Sequence, residues 1–129
     1  TRRLLAATAW LQTNPQTQTL KLGYFGASTG AAAALQAAAE MQNKIAAVVS
    51  RGGRPDLAGE FALGRVTAPT LLIVGSEDNG VIELNQQAYA LLNCEKKLTL
   101  IAGATHLFEE PGTLQQAARG AAEWFAQHL

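Results

Sequence analysis

Apolar and polar positions along this 129-residue chain follow two alternating periods, one helical and one extended. Leu4, Leu5, Thr8 and Leu11 recur at helical spacing and predict an amphipathic helix over residues 3–12. Asn14-Pro15 ends it, because the residue before a proline is pushed out of the helical region. Leu20-Lys21-Leu22-Gly23-Tyr24-Phe25 reads as a strand, and the alanine-rich stretch after it as a helix over 29–42. Alanine is the best helix former, and small side chains let a helix sit close to a sheet. Further strands are predicted over 45–50, 70–74 and 97–101. Between and after them come a short helix near 56–63, a longer one over 80–92 and a last one over 112–128. Thr70-Leu71-Leu72-Ile73-Val74 is almost wholly apolar, the pattern of a parallel strand covered on both faces. In the last helix Leu114, Ala117, Ala118, Ala121 and Phe125 form one stripe, a predicted packing face.

Strands alternating with helices predict an α/β fold of three layers, helix on sheet on helix, with a mostly parallel sheet of about four strands. Residues 1–129 form one domain in this reading, with no internal repeat or linker. If successive right-handed crossovers all step the same way, the helices after Ser28, Pro55 and Asp78 share one face of the sheet. Only the last helix is then free to cover the other face. The strand before Ser28 becomes an open edge beside half-covered apolar surface, and such surfaces invite partners. A homo-oligomer, or association with a missing amino-terminal portion, is therefore expected.

Gly26-Ala27-Ser28-Thr29-Gly30 lies where a strand passes into a helix. A sharp turn there lifts a serine hydroxyl into the open, and glycines two residues either side spare the junction Cβ collisions. Asp78 follows the strand 70–74, and His106 follows the strand 97–101. Parallel sheets bind ligands beyond the carboxyl ends of their strands, so the three side chains belong on one rim. In roles, Ser28 attacks an acyl carbon, His106 carries its proton and Asp78 orients the imidazole. The N–H of Thr29 binds the developing oxyanion. Alternatives stay open at each position: Asp78 as a helix N-cap or turn residue, Glu77 as the histidine's partner, His106 as a surface loop residue. The shared chain order Ser…Asp…His at equivalent strand ends favours the triad. Arg51 and Arg54, after the strand 45–50, are either solvated loop charges or a clamp for a substrate carboxylate or phosphate.

The stretches Gly23-Tyr24-Phe25-Gly26-Ala27-Ser28-Thr29-Gly30, Ala68-Pro69-Thr70-Leu71-Leu72-Ile73-Val74-Gly75 with Asp78, and Gly103-Ala104-Thr105-His106-Leu107-Phe108 resemble the α/β-hydrolase superfamily, in its dienelactone hydrolase-like branch. The resemblance covers essentially the whole chain. It is similar to the carboxyl-terminal portion of such an enzyme, a truncated α/β-hydrolase fold, and to hydrolase domains fused to phosphoribosyltransferases. In these, the segment resembling Ser50-Arg51-Gly52-Gly53-Arg54-Pro55 recurs. The resemblance implies hydrolysis of small carboxylic esters or lactones without metal or organic cofactor. A complete member has further strands before the serine, and a loop after one of them supplies the second oxyanion N–H. The chain opens at Thr1 with no initiating Met and is expected to be a piece of something longer. Weak turnover through an incomplete oxyanion hole is therefore expected. The competing expectation is a catalytically feeble interaction domain.

Composition narrows the partners. Ten basic and ten acidic side chains cancel, so no basic field argues for nucleic acid or an anionic membrane. Hydrophobic residues make up 48% of the chain, yet no apolar run reaches the length of a membrane span. With no visible signal peptide and a single Cys94, a cytoplasmic location is expected. Cys94, in a polar stretch without a neighbouring histidine, reads as a bystander, and no His/Cys/carboxylate spacing suggests a metal site. His128 suits the end of the last helix, and Trp10 and Trp124 are expected to pack.

Overall fold

The computed structural model describes residues 1–129. Its elements, in chain order, are α1 (Arg2–Thr13), β1 (Leu22–Ala27), α2 (Thr29–Met41), β2 (Ile45–Arg51), α3 (Glu60–Arg65), β3 (Thr70–Gly75), α4 (Asn79–Leu91), β4 (Lys96–Ile101) and α5 (Thr113–His128). Single 3-10 turns at Gln42–Lys44 and Pro55–Ala58 lead into β2 and α3. The strands form one wholly parallel sheet in the order β1-β2-β3-β4.

The period-two alternation of side chains sorts the core into two layers. Val48 and Leu72 face one side and pack with Leu35, Ala38, Leu63, Ala88 and Leu92 from α2, α3, α4 and the turn after α4. Ala47, Val49, Leu71 and Ile73 face the other side, where Ala117, Ala121 and Trp124 of α5 cover them. All six residues of β3 are buried. A fully buried Leu or Ile is worth roughly 1.5–3 kcal/mol over an exposed one, so this central strand is the main apolar anchor of both layers. Leu4 and Leu5 of α1 join the first layer, and Thr8 ties the helix to β1 through a 2.6 Å hydrogen bond with the buried Tyr24 hydroxyl.

Several elements depart from the sequence pattern. The first strand runs from Leu22 to Ala27 rather than 20–25, because Leu20 closes a turn by donating its N–H to Thr17 O at 2.9 Å. The helix expected near 56–63 is broken at Gly59, whose φ of +91° no helix accommodates. On α5, Ala117 and Ala121 of the expected stripe are buried and Phe125 packs against the same cluster, but Thr113 and Trp124 complete the buried face while Leu114 stays 48% exposed. Trp10 is also exposed, on the outer side of α1, whereas Trp124 is packed. As expected, α5 alone covers its face: Phe25 remains 53% exposed, and β1 pairs only with β2. No helix is long and apolar enough to cross a membrane.

One glycine carries the strand–helix junction. A Cβ on Gly26 would lie 2.5 Å from Gly30 O and 2.7 Å from Ala31 N and Cα, all backbone atoms that cannot rotate aside. Gly30, by contrast, faces open space, so the second glycine of the pentapeptide relieves no collision. Gly26→Ala is expected to destabilise the fold by about 3 kcal/mol, read from urea denaturation, whereas Gly30→Ala leaves the midpoint near the unmodified chain's.

Candidate active site

β1 turns sharply into α2 at Ser28, which sits at φ +51°, ψ −126°. Positive φ is uncommon outside glycine and costs of order 1–3 kcal/mol. The surroundings hold it there: Ser28 O accepts from Ala31 N–H at 3.2 Å and from Arg54 N–H at 2.9 Å. As the residue before the helix, Ser28 makes no side-chain capping bond, so its hydroxyl is free to point elsewhere.

It points at His106. Ser28 Oγ and His106 Nε2 are 2.8 Å apart, and His106 Nδ1 lies 2.8 Å from Asp78 Oδ2. A carboxylate only accepts, so Nδ1–H donates to Asp78 and Nε2 is left to accept the serine proton. The Asp78 side chain is 12% exposed and that of His106 39%, so the carboxylate lies inside and the imidazole nearer the surface. Asp78 occupies the N-cap position of α4 but makes no cap bond, its carboxylate being spent on the histidine. Glu77 is exposed and anchors its N–H on Ala104 O at 2.9 Å. The acid facing the imidazole is thus Asp78, not Glu77.

The histidine loop is pinned at both flanks. Ala104 is fully buried, and a Cβ on Gly75 would strike its backbone. Phe108 is 2% exposed and held at φ +56°, its ring tucked under the loop. Between them Glu110 clasps Thr105: Thr105 N–H donates to Oε1 at 3.0 Å and Thr105 Oγ1–H to Oε2 at 2.7 Å. These two donors hold the Glu110 carboxyl below the usual carboxylate range. Glu110 was not singled out from the sequence, and this clasp was missed there.

Thr29 opens α2 and is exposed, and as the first helical residue its N–H has no partner four residues back. The two arginines go elsewhere. Arg54 forms a bidentate pair with Asp56, Nε to Oδ1 at 3.0 Å and Nη2 to Oδ2 at 2.9 Å, which holds the Asp56 carboxyl below its ordinary range. A carboxylate two residues away therefore already occupies the fork expected for substrate. Arg51 ends β2 with its guanidinium 5.3 Å from the Phe108 ring centroid, beside a cleft of about 440 Å³ lined by Phe25 and four α5 residues. The structure does not join Arg51 and Arg54 into a clamp.

Cys94 is half-buried against Thr70, and burial pushes its thiol up, away from the reactive thiolate. No group of three or more His, Cys, Asp or Glu side chains is placed to hold a metal ion.

Thr105→Val removes the larger of the two Glu110 contacts. The sign follows from the carboxyl being depressed in the fold: the clasp is intact at neutral pH and is lost as pH falls through the folded value. The Glu110 carboxyl of Thr105→Val is expected to titrate at higher pH than that of the unmodified chain, measured by carboxyl NMR.

Residues 1–128 match the dienelactone hydrolase family. A putative phosphoribosyl transferase of Mycobacterium tuberculosis is 61% identical over 127 residues, which is 98% of this chain and 28% of that protein. The crystal structure of dienelactone hydrolase from Anabaena variabilis superposes with a TM-score of 0.96 at 58% identity, over 98% of this chain and 58% of that one. An esterase domain from Rhodothermus marinus shares the fold at a TM-score of 0.81 and 18% identity, over 98% of this chain and 68% of that one. The chain thus spans little more than a quarter of its curated relatives' length and just over half of the Anabaena enzyme. With the fold and the sequence in agreement along its length, this chain belongs to the dienelactone hydrolase family.

Proposed function

We propose that this chain is a serine hydrolase of small carboxylic esters or lactones, working through Ser28, His106 and Asp78. The observation that carries the reading is the unbroken hydrogen-bonded series from hydroxyl to imidazole to carboxylate, 2.8 Å at each link. As the Ser28 oxygen attacks an acyl carbon, His106 Nε2 takes its proton, and Asp78 stabilises the imidazolium that forms. Charge collects on the former carbonyl oxygen, where Thr29 N–H donates to it. Collapse of the tetrahedral species breaks the acyl–oxygen bond, and His106 returns the proton to the departing alkoxide. Water, deprotonated by the same imidazole, then attacks the acyl-serine and restores the hydroxyl. Hydrolysis by this route needs neither metal nor organic cofactor.

Thr29 supplies one oxyanion donor within the chain. Loss of one such donor typically costs on the order of 10²–10³ in kcat, so turnover by the isolated chain is slow. A second reading, an association domain with feeble catalysis, draws on the open β1 edge and the exposed Phe25 and Leu114 beside it. In that reading a second copy of the chain completes the sheet. Sedimentation at micromolar concentration is expected to give a dimer or larger species, and a clean monomer overturns the association.

The hydrolase reading is tested with an activated ester and a fluorophosphonate. The unmodified chain is expected to hydrolyse the ester and take one phosphonyl group on Ser28. Ser28→Ala should do neither, and Asp78→Asn should lose on the order of 10³–10⁴ in kcat. Equal ester rates for the unmodified chain and Ser28→Ala, with no label on either, would sink the reading.

A further inference from the structure

Between β2 and α3, the segment Gly52-Gly53-Arg54 is wedged against both reacting side chains' backbones. Arg54 N–H donates to Ser28 O at 2.9 Å, on the strained serine itself. Gly52, at φ +53°, donates its N–H to Ile73 O at 2.7 Å; a Cβ there would sit 3.2 Å from His106 O and 3.3 Å from the Phe108 ring. Gly53 is packed so closely that a Cβ would collide with Ser50 Oγ and Ala31 Cβ. Two glycines give the segment no apolar side chains of its own, so although Gly52 and Gly53 are buried its position depends on hydrogen bonds to its backbone. It needs a polar tether.

Asn85 is that tether. It lies on α4, fully buried, and its Nδ2 donates to Gly53 O at 3.1 Å and to Val81 O at 2.9 Å. A buried amide on a helix that otherwise packs through apolar side chains is costly unless its bonds repay the desolvation. Its Oδ1 has no hydrogen-bond partner in the protein, so the donor side alone justifies the residue. α4 is also the helix that begins immediately after Asp78. One rigid helix therefore carries the acid at its first turn and, two turns on, the tether to the segment bracing serine and histidine.

We infer that Asn85 is a positioning residue for the hydrolytic site: it fixes Gly52-Gly53-Arg54 so that Ser28 and His106 keep their register with Asp78. The inference rests on the hydrolase reading for its effect on rate, but not for its effect on the segment. A misplacement of about 1 Å at reacting groups costs up to 10²-fold in rate, so loss of the tether should fall on kcat and leave KM nearly unchanged.

The test uses Asn85→Leu, which keeps volume but no donor, and Asn85→Asp, which is isosteric and presents only acceptors to Gly53 O when ionised. Amide hydrogen exchange reads the segment without any substrate. In both variants the Gly52 and Arg54 amides should exchange at least about tenfold faster, with Val74 in central β3 unchanged. The second readout is kcat per serine titrated by the fluorophosphonate, which should fall about 10-fold or more. If Asn85→Leu does not fold, Asn85→Asp carries both measurements. Unchanged exchange at Gly52 and Arg54 overturns the inference, as does faster exchange with kcat per titrated serine unchanged, which makes Asn85 structural only. Should the unmodified chain take no label and hydrolyse the ester no faster than Ser28→Ala, the hydrolase reading fails instead, and with it Asn85's bearing on rate, while the exchange data still decide whether the tether exists.

Discussion

Ser28 can stand at φ +51° only while the atoms behind it are immobile, and everything else at the rim inherits that requirement. Gly26 lies flat against the carbonyl of Gly30 and the backbone of Ala31, so β1 and the first turn of α2 have one relative position. The serine's own carbonyl takes two N–H donors, one from α2 and one from the segment after β2. A conformational cost of order 1–3 kcal/mol is met by backbone bonds of this kind, net ~1 kcal/mol each, and by close packing. Neither side chain nor substrate has to supply it. The hydroxyl is consequently preset at hydrogen-bond distance from the imidazole.

Parallel pairing does the rest of the assembly. Because all four strands run the same way, the ends of β1, β3 and β4 deliver serine, acid and histidine to one rim, and the end of β2 brings the bracing segment between them. In-register pairing of Ala27 with Arg51, and of Gly75 with Ile101, sets how far each loop begins above the sheet. Burial of β3 on both faces gives those loops a common stiff base.

What could be read from the sequence was whatever left a local or periodic mark. The serine pentapeptide, the strand ends and the apolar run 70–74 are such marks, and they led to the fold and to the three side chains that meet. Asn85 left none. Its partner is a carbonyl 32 residues away, and backbone carbonyls have no letter in a sequence. Glu110 was hidden for a related reason: the chain turns back between it and Thr105, with Phe108 at positive φ, a conformation the letters do not announce. Arg54 looked free in the sequence, yet Asp56 was near enough to take it. The last helix was legible in part: Ala117, Ala121 and Phe125 do face the sheet, but a stripe of small apolar residues is wide, and the sheet selects the strip that Thr113 and Trp124 share rather than the Leu114 side.

The unequal lodging of the two tryptophans has a spectroscopic corollary. Trp10 is 59% exposed on the outer surface of α1, while Trp124 is 7% exposed, donates from Nε1 to Pro69 O at 3.2 Å and lies 4.5 Å from the His128 ring. Their emission should therefore separate into a water-like band from the amino-terminal helix and a shifted, imidazole-quenched band from the carboxyl-terminal one. Detachment of α5 from its face of the sheet would unquench one indole and leave the other untouched, so the two halves of the three-layer structure can be watched coming apart by colour.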